Sequence, residues 1–335
     1  MKLLVVVVSY RVTDLTIDCL RSLSTEIHRV PGARVAVCEN GTGGDAAERI
    51  QALIDREGWG EWVSLQAIHP NLGFTGGNNV ILRPALAAPD PPDYFCLLNA
   101  DTIVRPHALD AMLEFLDAHP RVGIAGSRLE NPDGTPQCSA FRFQTPLSEF
   151  ERGLSLGVVS KLLSRWVVAP PPPEGPTRID WVSGASLFVR RQVLEQIGVL
   201  DEDYYTYHDD IDLCFNAAKA GWEIWCVPQS RVMHLGGQST GMWAKIPKRI
   251  PKYALQARRH YFLKNHGPLY AALADAAFIT GFALGRLRRR LQGKADLDPP
   301  HLLGDAIRNS VFATGFGKKP VQNPALLPGA SKKSA

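Results

Sequence analysis

Six consecutive apolar residues, Leu3 to Val8 ("LLVVVV"), open the chain. A strand that is apolar on both faces has to be covered on both faces, as happens in a parallel sheet flanked by helices. The run is short, lacks a small-residue cleavage site and leads straight into the helix-like "TDLTIDCLRSLS". It therefore reads as a buried strand rather than a signal peptide. In the helix, Leu15, Cys19, Leu20 and Leu23 share one face, with Thr13 or Asp14 expected as the cap.

The same alternation continues. "ARVAVCEN" reads as a second strand, "AAERIQALI" as a helix and "VSLQAIHP" as a third strand. The glycine-rich "NLGFTGGNN" comes next, then a helix through Leu86 and a fourth strand, "YFCLLNAD". This rhythm implies an open, doubly wound α/β sheet. Ligands of such sheets bind beyond the carboxyl ends of the strands, where Ser9, Glu39, Asn40, Asn71 and Asp101 fall. At 335 residues, 45% apolar and 21% charged, the chain is long enough to bury a core without disulfides or a structural metal, and too apolar for disorder. The six cysteines form no CxxC pair and several lie in apolar runs, which suggests a reducing compartment and no zinc site.

After Ala125 the rhythm breaks. "RLENPDGTPQCS" carries an Asp133-Gly134 turn signal and is expected to form a hairpin. Pro170 to Pro173 mark a stiff surface loop, while "DWVSGASLFVRR" and "EIWCVP" return to strand. From Lys248 the chain is helical and basic, and its end has the composition of a flexible tail. The formal charge of +4 is weighted toward this C-terminal part, which suggests a basic surface there rather than an overall nucleic-acid binder.

Three stretches carry chemistry. "LLNAD" ends an apolar strand on Asn99, Ala100 and Asp101, an oxygen-ligand position suited to Mg²⁺ or Mn²⁺ but equally to a turn or cap. "VMHLGG" puts His234 after another strand, as a ligand or as a structural histidine. "HDDIDL" crowds Asp209, Asp210 and Asp212 before an apolar run. Carboxylates at a helix start are favoured by the exposed N–H groups, and one of them can also be a catalytic base.

Taken in order, "SYR" after the first strand, Glu39-Asn40, "NLGFTGGNN", "LLNAD", "WVSGAS", "DDIDLC" and "VPQSRVMHLGG" closely resemble family 2 glycosyltransferases with a GT-A fold. The likeness runs from Lys2 to about Gly237 and is strongest to rhamnosyltransferase-like members of bacterial surface-polysaccharide pathways. It implies an open, mostly parallel twisted sheet flanked by helices, with a helical C-terminal extension. The implied division is a catalytic domain over 1–240, a helical basic extension over 241–315 and a flexible tail over 316–335. The implied activity is inverting transfer of a sugar from a nucleotide diphosphate, dTDP-rhamnose first and a UDP-sugar next, to a hydroxyl of a glycan or polyprenyl-linked acceptor.

The resemblance also implies roles. Ser9, Arg11 and Glu39 hold the nucleotide, and Asn71, Gly73 and Asn78 belong to the donor loop. Asn99, Ala100 and Asp101 stand at the DxD-type motif, with Asn99 replacing the first carboxylate. Mg²⁺ or Mn²⁺ falls to Asp101 and His234. Gly184 and Ala185 line the donor-sugar side, and Trp181 lies toward the acceptor. Asp210 is the general base. Asp209 stands where the family has glutamate, and either raises the pKa of Asp210 or contacts the acceptor. Asp212 is expected to cap the following helix, which ends at Gly221.

Leu269 to Leu287 is long and apolar, interrupted by Asp275 and bordered by Arg286 and Arg288 to Arg290. It reads as an interfacial helix on anionic lipid, with a packed helix and a true span as alternatives. A peripheral position at the inner face of the cell membrane follows, and the C-terminal helices also offer a homodimer interface. Two other functional classes share parts of the pattern. A sugar nucleotidyltransferase would carry a glycine-rich loop with Arg and Lys after the first strand, where this chain has "SYRVTDLT". A non-catalytic nucleotide-sugar or membrane-surface binding module would lack Asp101 or Asp210, and both are present.

Overall fold

A computed structural model describes residues 2–238, 248–296 and 298–326. The strands are β1 (Leu3–Ser9), β2 (Arg34–Asn40), β3 (Val63–Ile68), β4 (Tyr94–Asn99), β5 (Thr102–Val104), β6 (Val122–Glu130), β7 (Ala140–Phe141), β8 (Thr177–Ile179), β9 (Trp181–Val182), β10 (Ser186–Arg190) and β11 (Glu223–His234). The first eight helices are α1 (Thr13–Glu26), α2 (Ala46–Arg56), α3 (Gly73–Leu86), α4 (Ala108–Ala118), α5 (Pro146–Leu154), α6 (Gly157–Leu162), α7 (Arg191–Ile197) and α8 (Asp209–Lys219). Toward the C-terminus come α9 (Lys252–Asn265), α10 (Pro268–Leu291), α11 (Leu302–Asn309) and α12 (Val311–Thr314).

The expected α/β architecture is present. Strands in the order β3-β2-β1-β4-β10-β6-β11-β5 form the main sheet, with β8 added against β11. Apolar β1 lies between β2 and β4, both parallel to it, and its first five residues are buried. One core fills the side of α1, α2 and α4, and a second fills the side of α3, α7, α8 and α9. The strands β1, β2, β3, β4, β6 and β11 run in one direction, as expected of a mostly parallel sheet, while β5, β8 and β10 are reversed. β10 runs antiparallel to both β4 and β6, and β11 is antiparallel to β5 and β8. That reversal returns the chain to the carboxyl end of β4.

Several local expectations change. Val12, not Thr13 or Asp14, is the N-cap of α1, and no side chain caps it. Thr13 already lies in the helix, and Asp14 pairs with Arg49 on α2. The Asp133-Gly134 turn forms, with Gly134 N–H bonded to the Asn131 carbonyl. Only the single bridge Glu130–Pro136 follows it, because the chain leaves to pair β7 with β9. The glycine run is not a loop before a helix, since α3 begins at Gly73 and contains Gly76 and Gly77. The tail is partly held: Val321 is buried with its N–H on the Asp203 carbonyl, and Asn323 Nδ2 donates to the Asn71 carbonyl at 3.0 Å. The expected boundary at 240/241 and residues 327–335 of the tail lie outside the described residues.

Helices α9 to α12 pack on the sheet domain through α5. Arg258 on α9 bonds Glu149 of α5 at 2.8 Å and also reaches Asp275 of α10, whose second oxygen accepts the Val311 N–H at 2.7 Å. Asp275 thus faces inward, as an intrahelical carboxylate must when it is buried and paired. By length and composition α10 could cross a membrane, yet one face of it is sealed against α5. The seal needs small residues: a Cβ on Gly281 would sit 2.5 Å from the Phe150 carbonyl oxygen. Backbone cannot retreat as a side chain can. Gly281→Val is expected to lower the unfolding free energy by at least about 2 kcal/mol in a denaturant titration; an unchanged midpoint would show that α10 does not pack this closely.

Candidate active site

The site grows from strand ends. At the end of β1, Ser9 is buried with its hydroxyl 2.7 Å from Thr16 of α1. Arg11 follows in a left-handed conformation, exposed, with its N–H on Thr42 Oγ1 at 2.9 Å. At the end of β2, Glu39 accepts from the Gly41 and Thr42 N–H groups at 3.2 and 2.9 Å. Its carboxylate therefore shapes the loop that faces the end of β1. Asn40 reaches the other way, donating to the Gly73 carbonyl at 2.7 Å and accepting the Leu72 N–H at 2.9 Å. Asn71 Oδ1 accepts the Gly73 N–H at 2.6 Å.

Gly73 cannot be another residue. Its φ is +76°, and a Cβ there would lie 2.1 Å from the Tyr205 carbonyl oxygen. That carbonyl accepts the Phe74 N–H at 2.9 Å, so the start of α3 is fastened to the segment leading into α8. Within α3, Asn78 Nδ2 bonds the Phe74 carbonyl at 2.8 Å, and its buried Oδ1 has no hydrogen-bond partner among the described residues. An unsatisfied buried amide oxygen one turn from Gly73 and Phe74 has an acceptor to offer a ligand.

At the end of β4, Asn99 Nδ2 lies 3.3 Å from His234 Nε2, and Asp101 Oδ1 lies 3.4 Å from the same nitrogen. Both Asp101 and His234 are buried. The Leu235 N–H on the Asp101 carbonyl and β5–β11 pairing hold the two strand ends in register. Gln137, beyond the Asp133-Gly134 turn, donates to the His234 carbonyl at 2.7 Å and to Asn131 Oδ1 at 2.9 Å. The turn thus braces the histidine strand, a role its sequence does not signal. A carboxylate oxygen and an imidazole nitrogen at this separation fit a divalent cation that keeps open positions for phosphate and water. Asp201, Asp203 and His260 also place ligand atoms within 4.8 Å of one another. There, however, Lys264 Nζ is 2.6 Å from Asp201 Oδ2 and supplies the positive charge already.

The aspartates resolve into three different situations. Asp209 and Asp210 are the first two residues of α8, after Tyr207 and His208, which both have positive φ. Left-handed backbone at two successive non-glycine residues costs on the order of 1–3 kcal/mol each, and such strain concentrates at functional sites. His208 is held neutral, its pKa lowered to about 3 by burial and then by Arg258 and Arg152. Its Nε2 lies 3.2 Å from Gln144 Oε1, which links α8 to the start of α5.

Asp209 is buried, and burial first, then the neighbouring Asp210, pushes its carboxyl well above the usual range. Asp210 is only half-buried. Burial raises its pKa as well, while the Gly184 and Ile211 N–H groups, at 3.1 and 2.9 Å, oppose that rise. Two neighbouring carboxyls oppose each other's ionisation reciprocally. Asp209 is the more deeply buried of the two, and Asp210 is the reachable carboxylate.

Asp212 is no cap. It lies inside α8, buried, and bonds Lys264 and Asn265 of α9 at 2.6 Å each and the Tyr204 hydroxyl at 3.1 Å. The cap position is His208, and the helix ends as expected near Gly221, which has φ +95°. Trp181, expected toward the acceptor, is a buried side chain. Its ring is buried, stacked on Phe141 at 4.1 Å, with Nε1 on the Arg142 carbonyl at 2.9 Å.

One path joins these pieces. Asp210 accepts the Gly184 N–H, and the next carbonyl, that of Ala185, accepts the Asn99 N–H at 3.0 Å. The base-like carboxylate is thus one loop away from Asn99, Ala100 and Asp101. A Cβ on Gly184 would already touch Asp210 and Phe74 at 3.6 Å, so the loop leaves space above the carboxylate.

A family model described as "Glycosyltransferase like family 2" matches residues 2–251. The chain is 30% identical over 253 residues to the N-acetylglucosaminyl-diphospho-decaprenol L-rhamnosyltransferase of Mycobacterium tuberculosis, which covers 72% of this chain and 75% of that protein. Among solved structures it is similar to GalNAc-T7 with UDP, GalNAc and Mn²⁺, at a TM-score of 0.57 and 14% identity over 88% of this chain and 55% of that chain. It is likewise similar to the mannosyltransferase PcManGT of Pyrobaculum calidifontis in complex with GDP-Man and Mn²⁺, at a TM-score of 0.52 and 15% identity over 94% of this chain and 84% of that chain. These two likenesses concern the fold, which is GT-A. With strand ends, acidic helix start and family match in agreement, the chain belongs to glycosyltransferase family 2.

Proposed function

We propose that this glycosyltransferase works with inversion and a divalent metal, moving rhamnose from dTDP-rhamnose, or next a sugar from a UDP donor, to a hydroxyl of a glycan on a lipid-linked acceptor. The observation that carries the reading is the short path from Asp210 through Gly184 and Ala185 to Asn99 and the Asp101–His234 pair. It puts a half-buried carboxylate beside a cation-ligand pair, as a displacement at a diphosphate-activated carbon requires. The mycobacterial relative, an N-acetylglucosaminyl-diphospho-decaprenol L-rhamnosyltransferase, supports the choice of rhamnose and of a lipid-linked acceptor. Cell-surface polysaccharide synthesis at the inner face of the membrane belongs to the same reading. In this reading 1–240 is the catalytic part and 241–315 its helical extension.

Asp210 takes the proton of the acceptor hydroxyl while that oxygen bonds to the anomeric carbon and the bond from carbon to the diphosphate oxygen breaks. Asp209, kept protonated, leaves a single negative charge at the helix start and can donate a hydrogen bond to the acceptor. Asp101 and His234 would hold the Mg²⁺ or Mn²⁺, which when bound would offset negative charge on the diphosphate. Ser9, Arg11 and Glu39 shape the nucleotide end, and Asn71, Gly73 and Asn78 the donor loop. Gly184 and Ala185 set the floor under the sugar. Trp181 supports that floor from behind by its stacking on Phe141.

Two experiments test this. Thermal unfolding against a panel of nucleotide sugars should show stabilisation by one donor, about 2.7 kcal/mol at a hundredfold excess over Kd. The effect should need Mg²⁺ or Mn²⁺ and disappear in Asp101→Ala. Stabilisation that survives both chelator and that substitution would remove the metal assignment.

The second concerns the base. With the natural donor and acceptor, Asp210→Asn should lose kcat by roughly 100- to 10,000-fold while donor stabilisation persists. Because burial raises the Asp210 pKa, and the ionised form is the active one, kcat/KM should rise with pH through a midpoint above the ordinary carboxylate range. Asp209→Asn should keep that acid limb. An Asp210→Asn enzyme within tenfold of wild type would move the base elsewhere.

A further inference from the structure

The outer face of α10 has the wrong polarity for a helix that ends in water. Leu269, Leu273, Leu284, Leu287 and Leu291 are 44% to 79% exposed. The two positions that complete the stripe, Ala276 and Thr280, are exposed and uncharged. At 100° per residue all seven fall within an arc of about 80°, and the stripe runs for about 33 Å. The opposite face, with Ala274, Asp275, Phe278 and Gly281, is the one packed inside. An ordinary surface helix has one apolar face and one polar face, whereas α10 is apolar on both.

Charge borders the stripe on both sides. Arg288 and Arg290 project to either flank at its C-terminal end by the same helical count. Arg288 also donates to the Ser155 carbonyl at 2.9 Å, which brings the start of α6 beside that end. There Val158 and Leu162 are 77% and 79% exposed. Residues 152–173 hold Arg152, Lys161 and Arg165 and no acidic side chain.

We infer that the outer face of α10, extended by α6, docks in the plane of a bilayer that carries anionic headgroups. Leucines enter the headgroup–acyl boundary, and the flanking arginines and Lys161 meet lipid phosphates. Among the described residues a second copy offers the same cationic flanks, and its Asp296 and Asp298 are already paired with Arg286 and Arg289, so lipid is the better complement. The inference deepens the lipid-linked acceptor reading and rests on it. The inward face of the same helix is tied through Arg258 to Glu149 on α5, and α5 starts two residues after Gln144, the partner of His208. Docking would therefore set the acceptor side of α8 at a fixed height over the membrane, where a lipid-borne sugar can reach Asp210.

Flotation of the full chain with vesicles tests this without any turnover. Wild type should float with phosphatidylcholine–phosphatidylglycerol vesicles, more weakly as salt rises, and not with phosphatidylcholine alone. The Leu284→Glu/Leu287→Glu variant should lose at least tenfold in the bound fraction with its unfolding midpoint unchanged. Lys161→Glu/Arg290→Glu, which leaves the leucines in place, should lose the dependence on anionic lipid. Donor-induced stabilisation, measured on the same samples, reports separately on the transfer reading. Absence of wild-type binding, or equal binding by the leucine variant, would overturn the docking face. So would a wild-type dimer in sedimentation that the leucine variant converts to monomer, since the stripe would then belong to a second copy.

Discussion

The hydrogen bond from the Asn99 N–H to the Ala185 carbonyl is the join on which the site depends. It forms because β10 enters the sheet antiparallel to β4, with Ser186 opposite Leu98. A purely parallel sheet would carry the chain back over a helix and leave Gly184 at the wrong end. With the reversal, the loop before β10 lies across the carboxyl end of β4, and its next N–H reaches Asp210. The proposed metal side and the proposed base side then share one backbone segment, so their separation is set by sheet geometry rather than by flexible side chains. Such fixed placement lets a site orient reacting groups without reorganising.

Much of this was legible in the sequence, and the reasons are physical. Apolar runs such as Leu3 to Val8 can only be buried strands, so the strand ends, and with them Ser9, Glu39, Asn71 and Asp101, could be placed from the linear order. What the linear order hid were contacts made across long separations. Asp212 looks like a helix cap when only its neighbours are considered; its partner Lys264 is 52 residues later, on a helix outside the acidic motif. Gln137 looks like turn padding until β11 is beside it. Trp181 stacks on Phe141, a partner 40 residues earlier that the linear order does not put beside it. The glycine run suggests a loop because glycine disfavours helix, but the demand is the close approach of Tyr205 to Gly73.

The aspartate cluster shows how burial divides like residues among unlike tasks. Asp209, Asp210 and Asp212 sit within one turn of one helix, but each meets a different environment. The first is sealed, its carboxyl pushed up by burial, the second is half-open and fixed by two N–H groups, and the third is neutralised by Lys264 and bonded by Asn265. Crowding three carboxylates is tolerable because only one of them carries an uncompensated charge. The same C-terminal helix that neutralises Asp212 belongs to the bundle that seals Asp275, so the extension steadies the helix that bears Asp210.

Diffraction from crystals soaked with Mn²⁺ and a nucleoside diphosphate, recorded near the manganese edge, tests the central assignment most directly. The account expects one anomalous peak within bonding distance of Asp101 and His234, with the diphosphate lying between it and Asp210. A peak at Asp201, Asp203 and His260 instead, or a diphosphate bound away from the ends of β1 and β4, would contradict it.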